Sequence, residues 1–330
     1  MLLFLFTKIN AMKKLVLLSL GIGLLYSCQK GSDDNSIGSN PKLRIQFKFD
    51  PTQERLNNLG QEAPLPLGHA GQTPDFNALS AFYLELVPTK FTQVEDGAVI
   101  YRAPTQAAEA GGDFEEAVVF DKALMSDEGE VFLEFPLADI APGSYEFLRA
   151  SVTYQNANVR FNLRNLPAPL PAELNDQLGT MASFIGFNTY ITDHIVGKQT
   201  QSVNGDRQQG FWAFEPQLDE PYQALFLQAN PNGIISQQAP LGSTTVVNPL
   251  EEFGVSLPFG SCIVTGAFEQ TLEITGEETK DITLTLSFSV NNSFEWVDKN
   301  ANGQWDLDIE QAAAEEVVDM GLRGLKVLVE

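Results

Sequence analysis

Several short segments of this chain alternate apolar and polar side chains with a period of two residues. In residues 43–49, Leu-Arg-Ile-Gln-Phe-Lys-Phe, every second side chain is apolar. Such a period places alternate side chains on opposite faces of a β-strand, so the segment predicts a strand with one buried face. Comparable predicted strands occur at residues 79–87, 131–135, 145–154, 268–274, 282–290 and 325–329.

Turn-forming residues separate these strands, as in Ala141-Pro142-Gly143-Ser144 and Asn230-Pro231-Asn232-Gly233. A helical spacing of apolar residues is clearest over 306–318, and the crossover helices that a parallel sheet requires are missing. The sequence therefore predicts an all-β fold, an immunoglobulin-like or related antiparallel β-sandwich with one short helix near the C-terminus. The predicted sandwich domain covers residues 42–330, and the proline-rich stretch leaves open a lobe boundary near 166–176.

The first 27 residues have the order of a lipoprotein signal peptide. Met12 stands directly before Lys13 and Lys14 and is the predicted site of initiation, and residues 15–25 are mostly apolar. This apolar run is shorter than the roughly 20 residues that a transmembrane helix needs. The ending Leu25-Tyr26-Ser27-Cys28 resembles a bacterial lipobox, which implies fatty acylation of Cys28.

Residues 28–41 form a predicted flexible, acidic tether, since they are polar and lack hydrophobic periodicity. Asp33 and Asp34 follow Cys28 closely, which resembles the export signal of Bacteroidota-type lipoproteins and implies the outer face of the outer membrane. The formal net charge is -23. This charge argues against nucleic acid as a partner and against electrostatic attraction to anionic lipid, so the acyl group alone should hold the chain to the membrane.

A second motif lies in residues 298–310, where oxygen-bearing side chains alternate and a glycine stands at the sixth position. This spacing resembles the calcium loop of EF-hand and dockerin-like proteins, in which alternate oxygens face one cation. The twelfth position is Ile309, so Glu310 would close the site one residue later, and the alternative is a simple turn. The predicted ligands of a structural Ca²⁺ are Asp298, Asn300, Asn302, Gln304 through its carbonyl, Asp306 and Glu310.

The remaining reactive residues favour structural roles. His69 and His194 have no neighbouring ligands at metal-site spacing, and Cys262 is interpreted as a small buried residue. The acidic group Glu215, Asp219 and Glu220 is interpreted as a solvated face rather than a catalytic pair. The clustered aromatics at 184–190, 211–214 and 293–296 are predicted to fill the core.

The first strand at 43–49, the segment 80–86 and the turn Pro142-Gly143-Ser144-Tyr145 resemble the corresponding parts of MbnP-like lipoproteins. The resemblance covers about a third of the chain. The resemblance implies a surface lipoprotein with a β fold. It also implies an accessory role in copper binding. Convergence of His69, His194 and Met181 would support that role.

These observations favour a non-enzymatic outer-membrane surface lipoprotein, a binding or accessory module for an unknown protein or glycan ligand. Two alternatives stay open: a carboxylate-dependent hydrolase of polysaccharide or peptide, and a copper-binding accessory protein. Acidic side chains gathered in one aromatic-lined cleft would support the hydrolase.

Overall fold

The computed structural model describes residues 40–109, 114–166, 168, 170–240, 242–308 and 315–330. These residues contain twenty strands, one α-helix and three short 3₁₀ helices, and Asn40–Glu330 form one compact unit. The strands of the first half are β1 (Lys42–Asp50), β2 (His69–Gln72), β3 (Asp75–Val87), β4 (Ala98–Arg102), β5 (Thr105–Ala107), β6 (Glu116–Val119), β7 (Met125–Asp127), β8 (Val131–Pro136), β9 (Gly143–Arg164) and β10 (Glu173–Phe184).

The second half continues the β-rich pattern. Its strands are β11 (Thr189–Ile195), β12 (Thr200–Arg207), β13 (Phe211–Gln217), β14 (Ile235–Gln238), β15 (Ile263–Ile274), β16 (Ile282–Ser289), β17 (Phe294–Val297), β18 (Asp306–Asp308), β19 (Val317–Asp319) and β20 (Leu325–Val329). The helices are α1 (Tyr222–Ala229) and the 3₁₀ turns Phe120–Lys122, Leu137–Asp139 and Glu251–Phe253. The all-β prediction is confirmed, and the sheets are consistent with a sandwich.

Strand β1 shows why the alternating segments form strands. Leu43, Ile45 and Phe47 are buried in the main core, while the intervening polar side chains point away from it. Burial of a large apolar side chain stabilises the fold by about 1.5–3 kcal/mol. A shift of one residue in pairing would expose the whole apolar set, so this burial fixes the register of the strand.

The long strand β9 organises the architecture. It pairs antiparallel with β3, β10 and β15 along different parts of its length, and β18 pairs with its final residues. The main sheet follows the order β14-β13-β10-β9-β15-β20-β16-β1-β8, with β3, β4, β7 and β18 off this path. Two smaller sheets have the orders β12-β11-β6-β5 and β19-β17-β2.

The predicted sandwich was antiparallel, but the main sheet is mixed. β1 pairs parallel with β16, and β15 pairs parallel with β20. A parallel pair needs a long connection. The chain between β1 and β16 supplies one, because it contains most of the other strands. The segment near the predicted lobe boundary connects β9 to β10, which are neighbours in the main sheet.

The predicted helix over 306–318 is wrong at both ends. Asp306–Asp308 pair parallel with β9, and Val317–Asp319 pair antiparallel with β17. Residues 309–314 lie outside the described residues. The described α-helix instead spans Tyr222–Ala229, and no helix in the described part of the chain is long and apolar enough to cross a membrane.

Candidate calcium loop and neighbouring polar sites

The predicted calcium loop connects the end of β17 to the start of β18. Its first residue is fixed to the neighbouring chain, because the Asp298 amide donates a hydrogen bond of 3.0 Å to the Gly68 carbonyl. The loop then turns tightly: Ala301 has a φ of 57° and Gly303 a φ of 71°. These left-handed conformations suit Gly303 and impose a cost of roughly 1–2 kcal/mol at Ala301, which the surrounding hydrogen bonds must offset.

The side chains at the first, third and fifth loop positions turn inward. Asp298 accepts hydrogen bonds from the backbone amides of Asn302, at 3.1 Å, and Gly303, at 2.8 Å. The Asn300 side-chain oxygen accepts from the Asn302 amide at 3.1 Å, and the Asn302 oxygen accepts from the Gln304 amide at 2.7 Å. The loop backbone is therefore wrapped around its own oxygen-bearing side chains.

Asp306 closes this arrangement from the start of β18. The amide nitrogens of Asn300 and Asn302 both donate to its Oδ2, the second at 3.0 Å. Its Oδ1 accepts from Asn162 Nδ2 at 2.8 Å and from Arg164 Nε at 2.9 Å, both on β9. Burial alone would raise the pKa of Asp306, but the hydrogen bonds from Asn162, Asn300 and Arg164 outweigh it and lower the pKa.

Glu315 is a member of the cluster that the motif did not identify. Its two oxygens accept from the backbone amides of Lys299 and Asp306, each at 2.9 Å, and so join the two ends of the loop. Burial raises the pKa of Glu315, and the charges of Asp306 and Asp298 raise it further. Three carboxylates therefore lie close enough to repel one another, which a bound cation would relieve.

Trp305 attaches the loop to the core. Its buried ring packs edge to face against Phe294, at 4.9 Å between ring centroids, and against Phe214, at 5.1 Å. Its carbonyl accepts a hydrogen bond of 2.8 Å from the Asn162 amide of β9. The last part of the loop is consequently fixed by packing as well as by hydrogen bonds.

The structure thus brings together four predicted ligands: Asp298, Asn300, Asn302 and Asp306. The Gln304 amide contributes to the turn, and its side chain is exposed. Glu310 lies outside the described residues, as does Cys28. Asn162, Arg164 and Glu315 were missed because they stand outside the loop motif; the acidic pair at 315–316 was a weak signal for the last of them.

The donor set fits a hard cation, because carboxylate and amide oxygens are the ligands that Ca²⁺ prefers. A half-turn of either asparagine amide would present its oxygen beside Asp306, and it would replace the hydrogen bond that this oxygen now accepts from the Asn302 or Gln304 backbone amide. Within the described residues, no group of three or more His, Cys, Asp and Glu side chains that could hold a metal ion is found. Two asparagines stand in the loop where a more acidic site would have carboxylates.

The two histidines lie in different sheets. His69, in β2, contacts Glu295 through Nδ1, and Glu295 is also paired with the buried Arg55. His194, in β11, is buried between the rings of Phe184 and Phe211.

The interpretation of Glu215 as part of a solvated face is wrong. It is buried, and its Oε2 accepts the three consecutive amides of Gly197, Lys198 and Gln199 at 2.8–2.9 Å. This carboxylate therefore orders the turn between β11 and β12. The predicted burial of Cys262 is confirmed, and burial raises the pKa of its thiol.

The predicted aromatic segments are largely core. Phe184, Trp212, Phe214, Phe294 and Trp296 are all buried, as predicted for packing residues.

Comparison of the chain with protein-family models, with curated proteins and with solved structures found no match.

Proposed function

We propose that the protein is a non-enzymatic binding or accessory module, attached to the outer face of the outer membrane through acylated Cys28 and stabilised by a structural calcium ion. The observation that carries the proposal is the convergence of Asp298, Asn300, Asn302 and Asp306 in one loop. Calcium loops of this kind occur inside and outside cells, and in extracellular modules dissociation constants of about 10⁻⁴–10⁻³ M suffice. The lipobox-like ending and the acidic tether support the same location.

The proposed ion has a structural role. It would join the end of β17 to the start of β18, and Asp306 is already tied to β9 through Asn162 and Arg164. β17 belongs to the small β19-β17-β2 sheet, whereas β18 and β9 pair with each other in the main sheet. Calcium bound here would therefore stabilise the packing of the small β19-β17-β2 sheet against the main sheet.

The anchor is tested by Cys28→Ala. Thioether attachment and acylation both require the thiol, so this variant should remain in the soluble fraction while the wild type pellets with membranes. A radiolabelled fatty acid should mark the wild type only. Surface exposure is tested separately: if the wild-type protein faces outward, protease added to intact cells should degrade it. Fatty-acid label on the variant, or an unchanged membrane fraction, would refute acylation at Cys28; protection of the wild type from protease would refute surface exposure.

A further inference from the structure

A cleft of about 590 Å³ lies between the chain after β1 and the segment from 242 to 257. Asn57 and Asn58 line one side, Glu251 and Ser256 line another, and Arg323 also lines it. Sites for small ligands usually occupy about 300–1,000 Å³, so the cleft is large enough to hold one. It is separate from the calcium loop.

Arg323 is the most unusual residue of this cleft, because it is a guanidinium with only 4% of its surface exposed. Its Nη1 donates to Thr245 Oγ1 at 2.6 Å and to Asp319 Oδ2 at 2.5 Å. Its Nε is buried without a hydrogen-bond partner, and no hydrogen bond of Nη2 is found among the described residues. Nε is too deeply buried for a ligand to reach, so Nη2 is the guanidinium donor that a ligand oxygen in the cleft could use.

The frame of the cleft is held by hydrogen bonds. Asn57 Oδ1 accepts the backbone amides of Leu59, at 2.9 Å, and Gln61, at 3.0 Å. Across the cleft, Asn248 Nδ2 donates to the Val255 carbonyl at 2.9 Å. These bonds fix the two walls before any ligand enters, which lowers the entropic cost of binding.

Other polar groups on the walls are available to a ligand. The side chains of Asn58, Glu251 and Ser256 are exposed, and no hydrogen bond of theirs is found in the described part of the chain. Together they offer amide donors, a carboxylate acceptor and a hydroxyl that can do both. Val246 and Leu257 add apolar surface beside them.

The charges disfavour an anionic ligand. Asp319 compensates the charge of Arg323, Glu251 adds a negative charge at the wall, and the chain as a whole carries -23. A neutral ligand with many hydroxyl groups avoids this repulsion, because each hydroxyl can donate to Glu251 or accept from Arg323 and Asn58. A peptide backbone offers only one donor and one acceptor per residue, which is fewer than the several hydroxyl groups of each sugar.

We propose that this cleft binds a neutral oligosaccharide. The inference rests on the binding role proposed above and names its ligand class. Adjacent sugar hydroxyls would meet Glu251 and Asn58, an oxygen of the sugar would accept from Arg323, and the C–H faces would lie against Val246 and Leu257. None of the described residues that line the cleft is aromatic, so binding should be weak for a site of this size.

The test uses the full-length chain in a detergent without a sugar head group, applied to an array of neutral oligosaccharides, uronic-acid oligosaccharides and peptides. We expect retention on a neutral oligosaccharide. Titration calorimetry with that oligosaccharide should show binding about 10- to 100-fold weaker for Glu251→Ala, the loss expected for one hydrogen bond to a charged group. Asn58→Trp, which fills the cleft, should abolish binding, and Glu252→Ala should bind as the wild type does.

Glu251, Glu252 and Asn58 are all exposed, so the three variants should fold, and their melting temperatures check this. Retention of acidic oligosaccharides or peptides alone, or of nothing on the array, would overturn the proposal. Wild-type affinity in both Glu251→Ala and Asn58→Trp would also overturn it. These outcomes are distinguishable from failure of the anchor, because Cys28→Ala changes the cellular fraction and leaves the cleft intact.

Discussion

At the scale of single residues, the buried carboxylate of Glu215 has a clear structural role. It accepts three backbone amides of the β11–β12 turn through one oxygen. Glu215→Ala leaves these three donors without their acceptor and should lower the free energy of unfolding by about 2–4 kcal/mol. Denaturant unfolding measures this loss. Asp219→Ala, an exposed neighbour in the same acidic group, is the matched control and should change stability by less than about 0.5 kcal/mol. Equal effects of the two substitutions would contradict this role.

His194 predicts a dependence of stability on pH. Burial lowers its pKa from 6.5 to about 4, while Asp193 opposes this shift and Arg207 adds to it. The unfolded chain therefore takes up a proton at His194 near pH 6.5, and the folded chain does so only near pH 4. Stability contributed by the neutral ring is present above pH 6.5 and is lost as the pH falls to about 4, by up to about 3 kcal/mol.

His194→Leu removes the titrating group and keeps an apolar side chain beside Phe184. Unfolding free energies measured between pH 6.5 and 4.5 should fall less steeply for this variant than for the wild type. Other groups that titrate in this range are common to both proteins and cancel in the comparison. Parallel curves would show that His194 is not the source of the slope.

The residues of the calcium loop illustrate what a local motif can predict. Asp298, Asn300 and Asn302 lie within five positions of one another, so a tight turn is sufficient to bring them together. Asn162 and Arg164 are more than 130 positions away and reach Asp306 only because β9 pairs with β18. No local spacing could have identified them.

At the scale of elements, the loop between β3 and β4 is held by a fully buried ion pair. Arg149 Nη1 donates to Glu85 at 3.0 Å and to the Gln93 carbonyl at 2.9 Å, and Glu85 accepts the Gly97 amide at 2.7 Å. The pair thus connects β9 and β3 to the middle and to the end of this loop. An ion pair without exposure is costly to break, because the remaining charge stays buried.

Arg149→Met should therefore destabilise the protein by about 3–5 kcal/mol and increase hydrogen exchange over residues 88–97. The control is Arg160→Met, which removes the exposed pair with Asp176 and should cost less than about 1 kcal/mol. Urea unfolding and exchange followed by mass spectrometry measure the two effects. Unchanged exchange in residues 88–97 of a destabilised Arg149→Met protein would show that the pair does not hold the loop.

The elements that the sequence predicted well are those with a clear period of two. The predicted segments at 43–49, 145–154 and 325–329 lie within β1, β9 and β20. β18 was predicted as helix because its local spacing is helical, whereas its pairing with Asn162–Arg164 depends on a distant strand. Short strands such as β5 and β7 have three residues each, too few to show a period.

At the scale of the whole molecule, the fold class followed from sequence but the topology did not. The parallel pairing of β1 with β16 joins residues near the two ends of the described chain. Alternation of side chains indicates which face of a strand is buried and carries no information about its neighbours. The cleft beside Arg323 was missed for the same reason, since its walls come from three separated segments.

The calcium ion that we propose should stabilise the folded chain through the predicted calcium loop. Thermal melting of the full-length protein with excess calcium and with chelator measures this stabilisation. An ion that binds only the folded state at 100 times its dissociation constant adds roughly 2.7 kcal/mol, which raises the melting temperature by a few degrees. Asp298→Ala should melt at one temperature in both conditions, whatever its baseline stability. A wild type that melts identically with calcium and with chelator would show that no calcium ion stabilises the fold.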